Sequence, residues 1–130
     1  MGHQYSVLVV DDDPSWRRLY KELFEEEEGY LVETASNKEE AADQLAQSVF
    51  DVAIIDLRLV DSEPKNTDGV TVVQLIRDRN APTRAIVKSG HLTPEVRKQL
   101  EQMHVFAILD KEASSIPQLT SLVAQAAQAG

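Results

Sequence analysis

The sequence predicts an α/β fold in which one five-stranded parallel sheet carries helices on both faces. Five short apolar segments alternate along the chain with five segments of helical periodicity, and this alternation is typical of parallel sheets. The length of 130 residues and the hydrophobic fraction of 42% suit a single domain that buries its own core. A disordered chain is therefore not expected.

The first half of the chain contains three predicted strands and two predicted helices. Residues 6–10, 30–34 and 51–57 are short and mostly apolar, as buried strands are. The first helix ends at Gly29, and its apolar side chains recur at helical spacing: Trp16, Leu19, Tyr20, Leu23 and Phe24. Asn37 is the predicted N-cap of the second helix.

The second half of the chain contains two more predicted strands and three more predicted helices. Residues 84–89 and 105–109 are the strands, and Asp68 with the glycine after it leads into the third helix. Thr93 is followed by proline, which predicts an N-cap and the first position of the fourth helix. Residues 116–127 are the predicted fifth helix.

Charge and composition argue against several classes of function. The formal net charge of −9 repels phosphate groups, so neither direct nucleic-acid binding nor binding to an anionic membrane is expected. The chain has no cysteine, which excludes disulfides and thiolate metal sites and agrees with a cytoplasmic location. No apolar run is long enough to span a bilayer, and no signal peptide is predicted.

Side chains with metal-binding or reactive chemistry lie at the ends of four of the predicted strands. Asp11 and Asp12 follow the first strand, Asp56 lies at the end of the third, Ser89 ends the fourth and Lys111 follows the fifth. Right-handed crossovers place the loops after parallel strands along one edge of the sheet. Such sheets bind their ligands at that edge, so the functional site is predicted there.

Helix capping accounts for only one aspartate of the opening acidic run. Asp13 precedes Pro14, which makes it the natural N-cap of the first helix. Three clustered carboxylates repel one another unless a cation joins them, and a hard divalent ion such as magnesium takes oxygen ligands. Magnesium, an ammonium group and a hydroxyl can together hold phosphoryl oxygens, while a carboxylate among them acts as a nucleophile and becomes an aspartyl phosphate.

Each of these features also has a plainer structural interpretation. An acidic run before proline is often only a capped turn, Asp56 could cap the loop that follows it, and Lys111 could be a solvated charge. The combination of all of them, each at the end of a different strand, favours a site.

Four segments of the chain resemble the motifs of the response-regulator receiver family. VLVVDDDPSWRR resembles the opening acidic motif, and DVAIIDLRL, followed by DG, resembles the phosphoacceptor segment. IVKSG resembles the serine motif, and FAILDK resembles the lysine motif. The resemblance implies a doubly wound, flavodoxin-like sheet of strand order 2-1-3-4-5. It also implies that residues 1–130 are a single receiver domain with a structured core at about residues 5–127, and no effector domain is expected.

The resemblance implies a role for each residue at the predicted edge. Asp56 looks like the phosphoacceptor and a ligand of Mg²⁺ or Mn²⁺, with Asp12 as a direct ligand and Asp11 as one acting through water. Ser89 would bond the phosphoryl group, and Lys111 would pair with it.

Two further residues are implied to act around the metal and the phosphoryl group. The backbone carbonyl of Arg58 would bind the metal. The side chains of Arg58 and His91 would flank the path of attacking water and slow hydrolysis of the phosphoryl group, although both could equally be ordinary loop residues.

The function implied is a phosphorylation switch that catalyses its own magnesium-dependent phosphorylation and dephosphorylation. The phosphoryl donor would be a histidine kinase or phosphotransfer protein. The receiver of the signal would be a downstream protein or a missing effector domain, with a homodimer through the last two helices and the fifth strand as one form of output. The alternative is a receiver-like interaction module that does not use phosphate. An aspartate-nucleophile phosphohydrolase is disfavoured because Arg58 stands where its second acid is needed.

Four departures from the family pattern accompany the resemblance. Glu112 replaces the proline that usually follows the lysine, and Ile108 replaces the usual aromatic residue; Phe106 is expected on the same strand face as Ile108. The segment 60–68 is longer than usual, either as a solvated insertion or as a lid that selects partners. Lys88 stands where an apolar residue is common, and its ammonium is expected to extend toward the active edge.

Overall fold

The computed structural model describes residues 4–60, 62–63, 65–79, 81–90 and 92–129. Five parallel strands form one sheet in the order β2-β1-β3-β4-β5. The predicted sheet and its strand order are therefore confirmed. The strands are β1 (Ser6–Val10), β2 (Leu31–Ala35), β3 (Val52–Asp56), β4 (Arg84–Ser89) and β5 (Ala107–Asp110).

The described residues form five α-helices that cover both faces of the sheet; four of them connect strands, and the fifth follows the last strand. The first of them continues as a π-helical segment, Leu23–Glu27, and the chain then turns at Gly29, whose φ is +69°. Among the described residues, no helix is both long and apolar enough to cross a membrane. The helices are α1 (Pro14–Glu22), α2 (Lys38–Gln47), α3 (Asp68–Asp78), α4 (Pro94–Gln102) and α5 (Ile116–Gln128).

The core is divided by the sheet into two hydrophobic clusters. Because successive strand side chains point to opposite faces, Val9 and Ile54 pack on the side of α1 and α5, whereas Val10 and Ile55 pack on the side of α2, α3 and α4. All five residues of β3 are buried. Burial on both faces explains why this strand is a continuous apolar run that ends in a single aspartate.

The caps of the helices agree with the sequence predictions. The Asp13 side chain accepts a hydrogen bond from the backbone N–H of Ser15 at 2.8 Å and caps α1. Asn37 and Thr93 cap α2 and α4 in the same way. Since Asp13 is the N-cap of α1, capping of this helix does not account for Asp11 and Asp12 at the carboxyl end of β1.

The fifth strand begins two residues later than its hydrophobic pattern predicts. Val105 donates its N–H to the Leu100 carbonyl and so closes the end of α4 rather than starting a strand. Phe106 packs with the cluster under α1 and α5, whereas Ile108 packs with the cluster under α2, α3 and α4. The prediction that these two side chains share a face is wrong, because Phe106 lies before the regular strand begins.

Gly69 lets the start of α3 approach the end of β3. Its N–H donates to the Leu57 carbonyl at 2.9 Å. A Cβ atom at this position would lie 2.5 Å from the carbonyl oxygen of Asp56 and 2.7 Å from the Cα of Leu57. Only glycine fits this contact, which fixes the backbone directly after Asp56.

Candidate functional site

Three carboxylates meet where β1 and β3 end. One ligand oxygen from each of Asp11, Asp12 and Asp56 lies within 4.8 Å of the others. Asp11 and Asp56 are almost fully buried, and Asp12 is half-buried. The parallel pairing of β1 with β3 produces this proximity, since it brings the two carboxyl ends side by side.

Asp56 is held from two directions. Its Oδ2 accepts a hydrogen bond from Lys111 Nζ at 2.7 Å, and its Oδ1 accepts one from the backbone N–H of Arg58 at 3.3 Å. Burial raises the pKa of Asp56 to about 6; the Lys111 ammonium opposes this rise, and Asp11 and Asp12 add to it. The carboxylate therefore carries an electrostatic strain that an added cation would relieve.

Asp11 is fixed by the turn that leads into α1. Its Oδ1 accepts from the backbone N–H of Asp13 at 2.9 Å, and its carbonyl oxygen accepts from Arg17 Nη1 at 2.6 Å. Burial raises the pKa of Asp11, while the bond from Asp13 and the nearby lysines lower it. Both buried carboxylates of the cluster thus favour a neighbouring positive charge.

The donor set of this cluster fits a hard divalent cation. All three side chains offer carboxylate oxygens, which are the ligands that Mg²⁺ and Mn²⁺ prefer over nitrogen or sulfur. Three ligands also leave coordination positions for water and phosphate oxygens, as magnesium sites usually do.

The serine and lysine lie on the strands next to the acidic cluster. Ser89 is the last residue of β4 and is buried, one position beyond the residue that pairs with Asp56. Lys111 follows β5, and its N–H donates to the Ser89 carbonyl at 3.0 Å. The structure thus brings Asp11, Asp12, Asp56, Ser89 and Lys111 to one edge of the sheet.

Of the two residues predicted to modulate hydrolysis, the structure describes only Arg58. The Arg58 side chain is exposed, while its backbone N–H contacts Asp56. His91 lies outside the described residues.

The turn after Lys111 is stabilised without the proline that the family usually has there. The Asp110 carboxylate accepts from the N–H groups of Glu112 at 2.8 Å and Ala113 at 3.3 Å. Ser114 donates its N–H to the Asp110 carbonyl at 3.0 Å. These bonds set the path of the backbone that carries Lys111.

The long loop before α3 is organised by one asparagine. Asn66 Oδ1 accepts from the N–H groups of Leu59 and Asp68, each at 3.0 Å. Lys38 of α2 also lies 3.5 Å from the Asp68 carboxylate. Asp61 and Pro64 of this loop lie outside the described residues.

Lys88 is a further charged residue beside the cluster: it lines a cavity together with Asp11 and Lys111, and it also makes aromatic contacts that the sequence did not predict. It is only 7% exposed, donates to the Tyr20 hydroxyl and lies 4.3 Å from the centroid of the Tyr20 ring and 5.0 Å from that of Trp16. Helical periodicity predicted Tyr20 and Trp16 only as apolar residues of α1. The charge inside an apolar strand was the one signal of this contact.

The fold and the acidic edge define a doubly wound α/β domain with an oxygen-ligand pocket at its switch point. The chain belongs to the response regulator receiver domain family, whose model matches residues 7–124. It is thus a response regulator receiver domain of two-component systems.

Curated relatives share this domain as part of longer proteins. The photosynthetic apparatus regulatory protein RegA of Cereibacter sphaeroides is 34% identical over 70% of this chain and 46% of that protein. The acid tolerance regulatory protein ActR of Rhizobium meliloti is 36% identical over 70% of this chain and 44% of that protein. The chain therefore spans less than half the length of these relatives.

Solved structures show the same fold. The signal receiver domain of a LuxO repressor protein of Vibrio parahaemolyticus has a TM-score of 0.83 at 24% identity, covering 98% of this chain and 92% of that one. The response regulator TrrA of Thermotoga maritima, solved in complex with Mg²⁺ and BeF, has a TM-score of 0.75 at 28% identity. That match covers 95% of this chain and 99% of that one.

Proposed function

We propose that this receiver domain is an active phosphoacceptor switch and that Asp56 takes the phosphoryl group from a histidine kinase or phosphotransfer protein. The observation that carries the proposal is the position of Asp56. It is buried at the end of β3, within 4.8 Å of two other carboxylates and bonded to the Lys111 ammonium. A carboxylate in that setting is a nucleophile surrounded by the charges that phosphoryl transfer needs.

The transfer has a simple chemical balance. A carboxylate oxygen of Asp56 forms a bond to phosphorus while the bond from phosphorus to the donor's imidazole nitrogen breaks, and the imidazole leaves. Mg²⁺, when bound, supplies positive charge for the phosphoryl oxygens. Lys111 pairs with the new phosphoryl group, and the Ser89 hydroxyl bonds one of its oxygens.

The proposed metal ligands are oxygen atoms. The carboxylates of Asp12 and Asp56 would bind the ion directly, and Asp11 would act through water. The backbone carbonyl of Arg58 would be the remaining protein ligand. TrrA, a neighbour of the same fold, was solved in complex with Mg²⁺ and BeF, and this supports the proposal.

The proposed modulators act after transfer. Arg58 is planar and permanently charged, and together with His91 it would cover the phosphoryl group and slow hydrolysis. The exposed position of the Arg58 side chain, two residues after Asp56, supports a role at the mouth of the pocket.

The proposed output is a change in partner binding. The new charge would draw Ser89 and Lys111 inward and alter the surface of α4, β5 and α5, which would bind a downstream partner, an effector domain or a second copy of the chain. We further propose that residues 1–130 form one receiver domain, that the protein is cytoplasmic, and that this domain itself binds neither nucleic acid nor membranes directly.

A mass spectrum after treatment with acetyl phosphate tests the proposal. Wild type should gain one phosphoryl group with Mg²⁺ and none with a chelator, whereas Asp56→Asn should gain none. Asp43→Asn, which changes an exposed aspartate of α2 in the same way, is the matched control and should label like wild type. Equal labelling of the Asp56 variant would overturn the assignment.

One observation favours the second candidate, an interaction module that does not use phosphate. Ile108 packs with the hydrophobic cluster under α2, α3 and α4, where the family commonly has the aromatic side chain that reports phosphorylation. Wild type that fails to take up acetyl phosphate or beryllofluoride at saturating Mg²⁺ would favour this function.

A further inference from the structure

Lys88 is a buried cation on the strand next to the proposed phosphoacceptor. Lys88 on β4 is the register partner of Asp56 on the neighbouring strand β3. Its side chain lies on the face that carries Tyr20, and the residue is only 7% exposed. A lysine ammonium is almost never buried so deeply unless nearby groups compensate its charge.

Aromatic groups and an acidic group both compensate the charge of Lys88. The Tyr20 hydroxyl accepts a hydrogen bond from Lys88, and the rings of Tyr20 and Trp16 lie within cation–π distance. The same rings and Lys88 line a cavity of about 140 Å³, and Asp11 and Lys111 line it as well. Burial lowers the pKa of Lys88 to about 8, with Asp11 opposing that shift, so the group is still mostly charged at neutral pH.

The second ammonium changes the charge balance of the pocket. The three aspartates carry three negative charges, and Lys111 with Lys88 supplies two positive ones. Adding a divalent cation leaves an excess of one positive charge. Phosphorylation then converts the single charge of Asp56 to nearly two negative charges, and the loaded, phosphorylated pocket becomes close to neutral.

We propose that Lys88 is an electrostatic selector of the phosphorylated state: it weakens divalent-cation binding to the unmodified pocket and stabilises the anion that forms on Asp56. The second half of this inference rests on the proposed phosphoacceptor function. Its first half concerns cation binding alone and is tested without phosphate.

The test compares wild type with Lys88→Met and Lys88→Gln, which remove the charge with and without a polar group. Calorimetry measures Mg²⁺ affinity, and a second titration measures beryllofluoride affinity at saturating Mg²⁺. Because one unit charge near the pocket is removed, both neutral variants should bind Mg²⁺ about three- to tenfold more tightly and beryllofluoride more weakly by a similar factor. Loss of packing would weaken the binding of both ligands, so affinity changes in opposite directions identify the lost charge as the cause.

Two controls accompany these variants. Lys98→Met removes the charge of an exposed lysine on α4 and should leave both affinities unchanged. Tyr20→Phe keeps the ammonium but removes its acceptor, and it should keep Mg²⁺ affinity nearer to wild type than to Lys88→Met. Trp16 fluorescence should change in Lys88→Met before any ligand is added, because a cation next to the indole is removed.

The outcomes separate this inference from the proposed function. If wild type binds no beryllofluoride and takes no acetyl phosphate, the proposed function is wrong, and the Mg²⁺ comparison alone decides the role of Lys88. Unchanged or weaker Mg²⁺ binding in both neutral variants would overturn the inference. Mg²⁺ and beryllofluoride affinities that change in the same direction would also overturn it.

Discussion

At the scale of single residues, Asp56 combines burial with two acidic neighbours, and this costs the metal-free protein stability. Its folded pKa of about 6 lies above the usual 3.8, so between about pH 4 and pH 6 the folded protein holds a proton that the unfolded chain has lost. The contribution of Asp56 to the free energy of unfolding is therefore largest below about pH 4, falls as the pH rises to about 6, and stays lost above that pH. The loss is at most about 3 kcal/mol, and less if the protein relaxes.

Urea denaturation in a chelator at several pH values measures this effect. The difference in unfolding free energy between Asp56→Asn and wild type should grow in favour of the variant between about pH 4 and pH 6. Saturating Mg²⁺ should remove the difference in slope, because the cation favours the ionised carboxylate. A pH-independent difference in the chelator would contradict the raised pKa.

The bond between Lys111 and Asp56 leads to a second prediction at this scale. Lys111 is one-third exposed, while Asp56 is buried, so the lysine can follow the phosphoryl group when it forms. Lys111→Ala should still accept some phosphate but show a smaller conformational change. NMR shifts in α4, β5 and α5 on beryllofluoride binding measure this, with Lys98→Ala as the control; equal shifts in wild type and Lys111→Ala would leave Lys111 as a simple counter-charge.

At the scale of elements, the strands and helix starts were largely predictable, whereas the contacts between elements were not. Apolar runs and caps such as Asp13 and Thr93 are local signals that survive in the fold. The late start of β5 and the side taken by Phe106 depend on how the end of α4 reaches the sheet. The bond from Lys88 to Tyr20 joins residues 68 positions apart, and no local pattern encodes it.

The predicted site also depended on this distinction. Parallel topology places the ends of β1, β3, β4 and β5 along one edge, so Asp11, Asp12, Asp56, Ser89 and Lys111 could be grouped from the sequence. Their burial and bond lengths required the packed structure. Arg58 illustrates what the sequence could not predict. Its place two residues after Asp56 indicated proximity, but only the fold shows that its backbone N–H makes the contact.

Gly69 allows a prediction about how α3 supports the site. A methyl group would meet backbone atoms at 2.5 and 2.7 Å, and neither neighbour can turn away as a side chain can. Gly69→Ala should therefore destabilise the protein by about 1–3 kcal/mol and weaken Mg²⁺ binding, because the backbone after Asp56 must shift.

Gly29→Ala is the matched control for this change. Gly29 has a φ of +69° and no atom within 4 Å of an added Cβ, so alanine there should cost about 1 kcal/mol through backbone strain alone. Denaturation and Mg²⁺ titration of both variants separate the two effects. Weakened Mg²⁺ binding in Gly29→Ala, or normal binding in Gly69→Ala, would contradict a specific role for the contact between α3 and β3.

At the scale of the whole molecule, the net charge of −9 and the acidic pocket act in the same direction. Any salt screens the repulsion between carboxylates across the surface and stabilises the folded chain. A divalent ion bound at the pocket adds a separate contribution, which grows with the logarithm of its free concentration. At one hundred times its dissociation constant, this contribution is about 2.7 kcal/mol.

These two sources of stability are separated by thermal unfolding in Mg²⁺ and in NaCl of equal ionic strength. We expect Mg²⁺ to raise the Tm of wild type by roughly 6–12 °C more than NaCl does, given the usual shift per kcal/mol for a domain of this size. Asp12→Asn should raise the metal-free Tm, because one of three repelling charges is lost, and should remove most of the excess caused by Mg²⁺. Asp43→Asn also removes one charge, from the exposed face of α2, and should keep the full excess. If Mg²⁺ and NaCl stabilised wild type equally, the cluster of Asp11, Asp12 and Asp56 would be a repulsive surface feature rather than a cation site.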